Sequence, residues 1–272
     1  MLVLVVSGYP RVGNTQTPDL VRLEYTVIPD NEFGIQTNRY RALINAPIKI
    51  GTEDYLVAGM EYNRYEFEIE RELPFKFNNL ERLHIIDLNL GYSFMMNPDW
   101  RVVGVLTPRI SSNIERGLDN NDLRLNGSLV FWKERKELDK PYRLILGLSY
   151  NSATGLPFPL PLINYYKKFH KNWSYTLGIP RSDLKYYIKD KHVFQTALFL
   201  DGYFVNIQDN IELPGNNVGT AISLSALVGA VGYQYKITKE ISLYTLAGYS
   251  ILQEGLIRDG NRDRAFTLND EG

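Results

Sequence analysis

The sequence predicts an all-β protein, an antiparallel transmembrane β-barrel with short periplasmic turns and longer extracellular loops. Three observations carry this prediction. Apolar and polar residues alternate with period two along most of the chain, the mark of strands with two unlike faces. The connections alternate between short and long, as turns and loops do in outer-membrane barrels. Tyrosine is frequent, 19 in 272 residues, and tyrosine and tryptophan gather where membrane meets water.

Composition removes several classes. The formal net charge is -1, so no basic footprint points to nucleic acid. There is no cysteine, which excludes a disulfide framework, a thiolate zinc site and a lipoprotein anchor. No apolar run reaches the roughly 18 residues that a spanning helix needs.

Residues 1–17 open with "MLVLVVSGYPRVG". This apolar stub without a basic start reads as a disordered lead or the remnant of a signal peptide, and the barrel is expected over 18–272. The first strand sets Val21, Leu23, Tyr25 and Val27 against Arg22, Glu24 and Thr26. The second sets Tyr40, Ala42, Ile44, Ala46 and Ile48 against Arg39, Arg41, Asn45 and Lys49. The third sets Leu56, Ala58, Met60 and Tyr62 against Val57, Gly59, Glu61 and Asn63.

Leu83–Ile110 is a hairpin around "NPDW". Its first strand carries His84, Ile86, Leu88, Leu90, Tyr92 and Phe94 on one face and Asp87, Asn89, Gly91 and Ser93 on the other. Two more alternating strands cover 123–131 and 142–150. Noisier ones follow at 161–168, 173–180, 184–189, 192–206, 221–236 and 240–253. In a barrel the apolar faces point to lipid and Asp87, Asn89, Thr107 and Arg109 point inward. Pro47 and Pro108, inside strands, predict bulges or register breaks.

The short connections are "IGTED", "NPDW", "KKFHKN", "KDKH" and "YKITKE"; longer ones such as "EIERELPFKFNN" and "IQDNIELPGNNVG" alternate with them. "KERKELDKP" is long for a turn and "PRSD" short for an outer loop. Aromatics flank both ends: Tyr92, Phe94, Phe131, Tyr142, Trp173 and Tyr235 by the turns, Tyr40, Tyr62, Tyr150 and Tyr249 by the loops. The count is about thirteen strands, and single-chain bacterial barrels use even numbers. A fourteen-strand parent whose terminal strand lies beyond "AFTLNDEG" is expected, with twelve strands as the alternative. A large soluble antiparallel β protein is the competing fold.

The stretches "VRLEYTVIP", "NRYRALINAPIKI", "GLPFPLPLINYYKKFHKNWSYTLGIPRSDLKYYI" and "YQYKITKEISLYTLAGYS" resemble a family of uncharacterised outer-membrane β-barrels of Bacteroidota-type Gram-negative bacteria, known as a domain of unknown function. The resemblance runs from about residue 18 onward. It implies the fold and an outer-membrane location, and it brings no catalytic residues.

For function, one row of interior charges stands out. With each hairpin centred on its connection, Glu24 faces Arg41, Arg41 faces Glu61, Glu61 faces Asp87, Asp87 faces Arg109, Arg109 faces Arg124 and Arg124 faces Asn151. This belt reads either as a pore constriction or as a salt-bridge network that stiffens the wall. No serine is matched with a histidine and an acid in a hydrolytic arrangement, and His84, His170 and His192 sit on the lipid face or at turns. "DGNRDRAFTLND" spaces Asp259, Asn261, Asp263 and Asp270 like calcium-loop ligands, but lacks the glycine and the final glutamate; a solvated loop is the expected reading. No cofactor or metal is expected. The predicted function is a non-enzymatic outer-membrane barrel acting as a passive channel for small hydrophilic or amphipathic solutes. The alternatives are a non-conducting structural or assembly barrel that binds envelope partners and an outer-membrane hydrolase.

Overall fold

The structure, a computed structural model, describes residues 2–8, 19–29, 34–70, 73–76, 80–151 and 159–268. Among the described residues it is all-β apart from two short 3-10 turns, Asn120–Asp122 and Pro214–Asn216. The strands are β1 (Leu2–Gly8), β2 (Val21–Ile28), β3 (Ile35–Lys49), β4 (Tyr55–Ile69) and β5 (Arg82–Met95). They continue as β6 (Trp100–Ser112), β7 (Leu123–Arg135), β8 (Tyr142–Tyr150), β9 (Pro159–His170) and β10 (Trp173–Ile179). The last are β11 (Arg181–Ile188), β12 (His192–Leu213), β13 (Asn217–Lys236), β14 (Ile241–Arg258) and β15 (Arg264–Thr267).

Each strand pairs antiparallel with the next, and β1 also pairs with β14, so β1–β14 close into a ring. β2–β14 coincide with the thirteen segments predicted from alternation. The fourteenth is Leu2–Gly8, which the sequence reading assigned to a lead. An unbroken apolar run fits a strand as well as a signal stub, and pairing on both edges decides for the strand. Residues 9–17 of that expected lead lie outside the described residues. At the other end β15 pairs with the upper end of β14, where the reading expected a polar loop before a missing strand.

Side chains alternate as a two-faced wall requires. On β5, Leu88, Leu90 and Tyr92 are exposed on the outside while Asp87 and Ser93 are buried inside. The same outward apolar exposure recurs around the ring, from Leu23 and Ile44 to Leu148, Phe194 and Val231. Outward aromatics pair near both ends. Trp173 and Tyr186, 4.6 Å apart, lie at the turn end, and Tyr25 and Tyr40, 5.0 Å apart, at the loop end. The outward histidines are tied to tyrosines, His84 Nδ1 to the Tyr62 hydroxyl at 2.8 Å and His192 Nδ1 to the Tyr233 hydroxyl at 2.7 Å.

The predicted bulges at Pro47 and Pro108 do not form. Pro108 removes the ladder contacts between Asp87↔Arg109 and Leu90↔Leu106 but leaves the register unchanged. A Thr107 hydroxyl donating to Asn89 Oδ1 at 2.8 Å bridges the gap. Pro47 sits where β3 has run past β2, which begins at Val21 opposite Ile44, so its missing N–H costs no bond. The register shifts lie instead at Trp173/Ser174, Asn206/Ile211, Leu227/Val228 and Ile257/Arg258.

Two features give the loop end its shape. β10 and β11, joined by Pro180 alone, have only 7 and 8 residues, which explains the anomalously short "PRSD" connection. β12 and β13, with 22 and 20 residues, run far past them, and β12 makes a parallel contact with β6 at Asn206↔Ser112. β6 is six strands away around the wall, so β12 crosses the interior. The contact splits the loop end in two: β6–β12 enclose one side, and β13, β14 and β1–β5 the other.

Candidate functional site: a crossed interior with a charged wall

The crossing begins where β12 loses its neighbour, since pairing with β11 ends at Arg181↔Phe199. The next residues, "GYFVNIQDNIEL", stop alternating. Tyr203, Phe204 and Val205 are 4 %, 1 % and 0 % exposed. A wall strand buries one face; three consecutive buried large side chains mark a strand covered on both.

On one face, Tyr203, Val205 and Ile207 join Tyr65 and Phe67 of β4, Leu83 and Ile85 of β5, Ile222 of β13 and Ile257 of β14 in the main apolar core. The Tyr203 and Tyr65 rings lie 4.7 Å apart. The core thus fills the loop end on the β13–β5 side. On the other face, Phe204 packs under the Arg124 guanidinium at 4.3 Å.

Polar groups fasten the strand across the opening. Ser111 Oγ donates to the Phe204 carbonyl at 2.6 Å. Asp122, at the end of the 3-10 turn Asn120–Asp122 before β7, accepts from Asn206 Nδ2 and Gln208 Nε2, each at 2.8 Å. The Gln208 N–H donates to Asn113 Oδ1 at 3.0 Å, and Gln208 Oε1 accepts the Arg116 N–H at 2.9 Å. Burial alone would push the Asp122 carboxyl up. Hydrogen bonds from the Asp119 backbone and from Ser112, Asn206 and Gln208 outweigh it and hold the carboxyl below its usual range.

The six charged residues singled out in the sequence all lie on the interior face. Glu24↔Arg41, Glu61↔Asp87, Asp87↔Arg109 and Arg109↔Arg124 are direct cross-strand partners. Arg41 instead faces Asn63, because the β3–β4 turn is centred one residue later than expected. Its side chain still reaches Glu61 diagonally, at 2.8 and 2.9 Å. Asp87 and Arg109 form a buried two-bond pair at 2.6 and 2.7 Å. Glu24 takes Arg22 at 2.8 Å and Arg41 at 3.7 Å. The expected partners Arg124 and Asn151 lie beyond the described β7–β8 ladder, which begins at Gly127↔Tyr150.

Sequence reasoning missed Arg39 and Asp201, which join this wall to the crossing strand. Arg39 donates to Asn63 Oδ1 at 3.0 and 2.9 Å, lies 5.2 Å over the Tyr65 ring and pairs with Asp201 at 3.3 Å. It also missed Asp122 and Gln208, whose only signal is a polar stretch beside the non-alternating run.

Among the described residues no group of three or more His, Asp or Glu side chains could hold a metal ion. Asp259 Oδ1 accepts the N–H groups of Asn261 and Asp263, each at 2.9 Å, in the tight turn before β15. Its carboxylate is engaged in closing that turn. Asp270, the fourth residue of the calcium-loop spacing, lies outside the described residues.

A family model described as Domain of unknown function (DUF6268) matches residues 64–271. No curated protein and no solved structure is found similar to the chain.

Proposed function

The chain belongs to the DUF6268 family, and we propose that it is a non-enzymatic outer-membrane β-barrel of a Gram-negative cell. In this reading it is a passive route for small hydrophilic or amphipathic solutes that is shut while β12 lies across it. The outward apolar surface supports the membrane location: β1–β14 close into a ring, as a spanning sheet must, and Leu23, Leu88, Leu148 and Val231 suit hydrocarbon better than water. The lipid bilayer is then its surroundings and small solutes its cargo.

The observation that carries the functional reading is the crossing strand. Its apolar core blocks one side of the loop end, while Arg39, beside the charged wall of Glu24, Arg41 and Glu61, grips it through Asp201. We therefore read the charged belt as the frame of a closure rather than as a ring lining an open pore. Opposite charges within 3 Å largely cancel each other's field, which favours support over ion selection.

The crossing also favours a second reading, a non-conducting barrel that binds envelope proteins. Planar-bilayer recording separates the two. The channel reading predicts a mostly silent wild type with rare discrete openings, and frequent openings in Asp122→Ala/Gln208→Ala, where the fastening is cut. A heat-modifiable gel shift first establishes that both proteins are folded barrels. Silence in both proteins would overturn the channel reading.

A further inference from the structure

Among the described residues the wall has a gap above the short hairpin β10–β11, and both edges of that gap carry few free N–H groups. On β9 the Lys168 N–H points to β8, donating to the Pro141 carbonyl at 2.9 Å. The β8–β9 register is constant from Lys167 to Pro159. Donors alternate sides along a strand, so the even positions of β9 face β8 and the odd ones face β10. β10 ends at Ile179, opposite Ile163. The odd positions above it are Pro161 and Pro159, which have no N–H to leave unpaired.

The facing edge belongs to β12. Its last bond toward β11 is the Leu200 N–H to the Pro180 carbonyl, 2.9 Å. Beyond it the Gly202 N–H donates to Asp201 Oδ1 at 2.9 Å, the Phe204 carbonyl accepts from Ser111, and Asn206 pairs with Ser112. Among the described residues neither edge has a neighbouring strand, and the two prolines and these bonds reduce the number of N–H groups that would call for one.

On the membrane-spanning reading the gap comes to lie at bilayer depth. A strand tilted about 45° needs about 9–11 residues to cross the hydrocarbon, and β10 and β11 have 7 and 8. The floor of the gap at Pro180 therefore lies within the apolar band. Two absent strands leave three inter-strand spacings, about 14 Å, wide enough for an alkyl chain.

The lining is amphipathic. Leu177, Ile179 and Leu200 are exposed on the outer rim. Just inside, Phe199 and Tyr244 both pack against the buried Leu246, and the Arg181 guanidinium lies 5.0 Å over the Phe199 ring. Asp183 pairs with Arg181 at 3.6 Å and Lys185 at 4.0 Å. Arg143 and Lys236 also act on Lys185, so with Arg181 the cations here outnumber the one carboxylate among them, Asp183.

We propose that the gap is a side portal through which an amphipathic molecule with one anionic headgroup and an alkyl chain passes between bilayer and barrel interior. The headgroup sits at Arg181 and Lys185 and the chain lies against Phe199 and Leu246. This rests on the membrane-spanning reading but not on conduction through the loop end.

The test uses the whole chain refolded into phosphatidylcholine vesicles, with diazirine-bearing dodecanoate as probe and labelled residues mapped by mass spectrometry. Saturable labelling of Phe199 and Leu246 is expected, with only non-saturable labelling at Val231 on the outer wall. Arg181→Ala/Lys185→Ala should weaken the saturable labelling about tenfold, the loss of roughly 1.4 kcal/mol of headgroup binding. A diazirine-bearing dodecyltrimethylammonium probe should fail to label those sites. Carrying the diazirine on phosphatidylglycerol in the vesicle instead tells a lipid headgroup from a free carboxylate. Labelling confined to the outer wall, or insensitive to the double substitution, would overturn the portal. A chain that shows no heat-modifiable shift would overturn the membrane reading and the portal with it. A folded, silent barrel that still labels at Phe199 would sink the channel reading alone.

Discussion

Asp87 and Arg109 show what one interior pair can and cannot do. Side-chain exposures of 6 % and 8 % place both charges away from bulk water, so each depends on the other. Arg109→Ala strands a buried carboxylate and should cost about 3–5 kcal/mol, whereas Asp87→Leu/Arg109→Leu removes both charges and should cost much less. Urea titrations of micelle-refolded protein measure both; equal losses would mean that the pair is solvated. Parity along the strands was enough to read this pair from the sequence. It was not enough for Arg41, because a turn centre misplaced by one residue moves its facing residue by two.

Asp122 makes a pH prediction at the same scale. Its carboxyl is held below the usual range, so its contribution to fastening β12 is complete above the ordinary aspartate value of about 3.9. The contribution is lost as pH falls through the lowered value. Openings in planar bilayers should therefore become more frequent only on acidification below about pH 4. Asp122→Asn should flatten that dependence. The same acid response in wild type and Asp122→Asn would assign it to another carboxylate.

Among the elements, β9–β11 is the place where backbone sets the architecture. Gly178 has φ +157, and a Cβ there would lie 1.8 Å from the Ile163 carbonyl oxygen. Gly104 faces open space, its nearest atom Leu129 Cδ1 at 3.9 Å. Gly178→Ala should therefore lose about 1–3 kcal/mol while Gly104→Ala changes little. Comparison of their urea midpoints checks this, and equal midpoints would contradict the close approach. The sequence displayed the shortness of this hairpin as an anomaly, "PRSD", without revealing its meaning. Period-two patterning marks which side chains share a face, but not how high a strand stands in the wall.

β12 illustrates the same limit. Up to Leu200 it reads as an ordinary wall strand and is one. After that the run Tyr203–Phe204–Val205 is apolar on both faces, which in hindsight signals a strand buried on both sides. What it packs against cannot be read locally, because Tyr65, Leu83 and Ser111 lie across the barrel and far away in sequence.

At the scale of the molecule, the alternation, the short and long connections and the outward apolar residues were enough to predict a closed antiparallel barrel. They did not show that Leu2–Gly8 completes the ring or that the ring is crossed. Those two facts come from long-range pairing, β1 with β14 and β12 with β6. The resulting shape is a barrel tall on the β3–β7 side and low at β10–β11. Its longest hairpin leans from one side of the wall to the other.

The most direct test of that shape uses the absence of native cysteine. Asn206 and Ser112 are paired residues in this structure, within disulfide reach. If β12 instead stood upright in the wall, they would be most of a barrel diameter apart. Asn206→Cys/Ser112→Cys should form an intramolecular disulfide on oxidation, seen by mass and gel mobility, in a barrel that stays heat-modifiable and silent in a planar bilayer. Adding reductant should restore discrete openings. Free thiols persisting under oxidising conditions in the folded barrel would contradict the crossing strand, and with it the proposed closure.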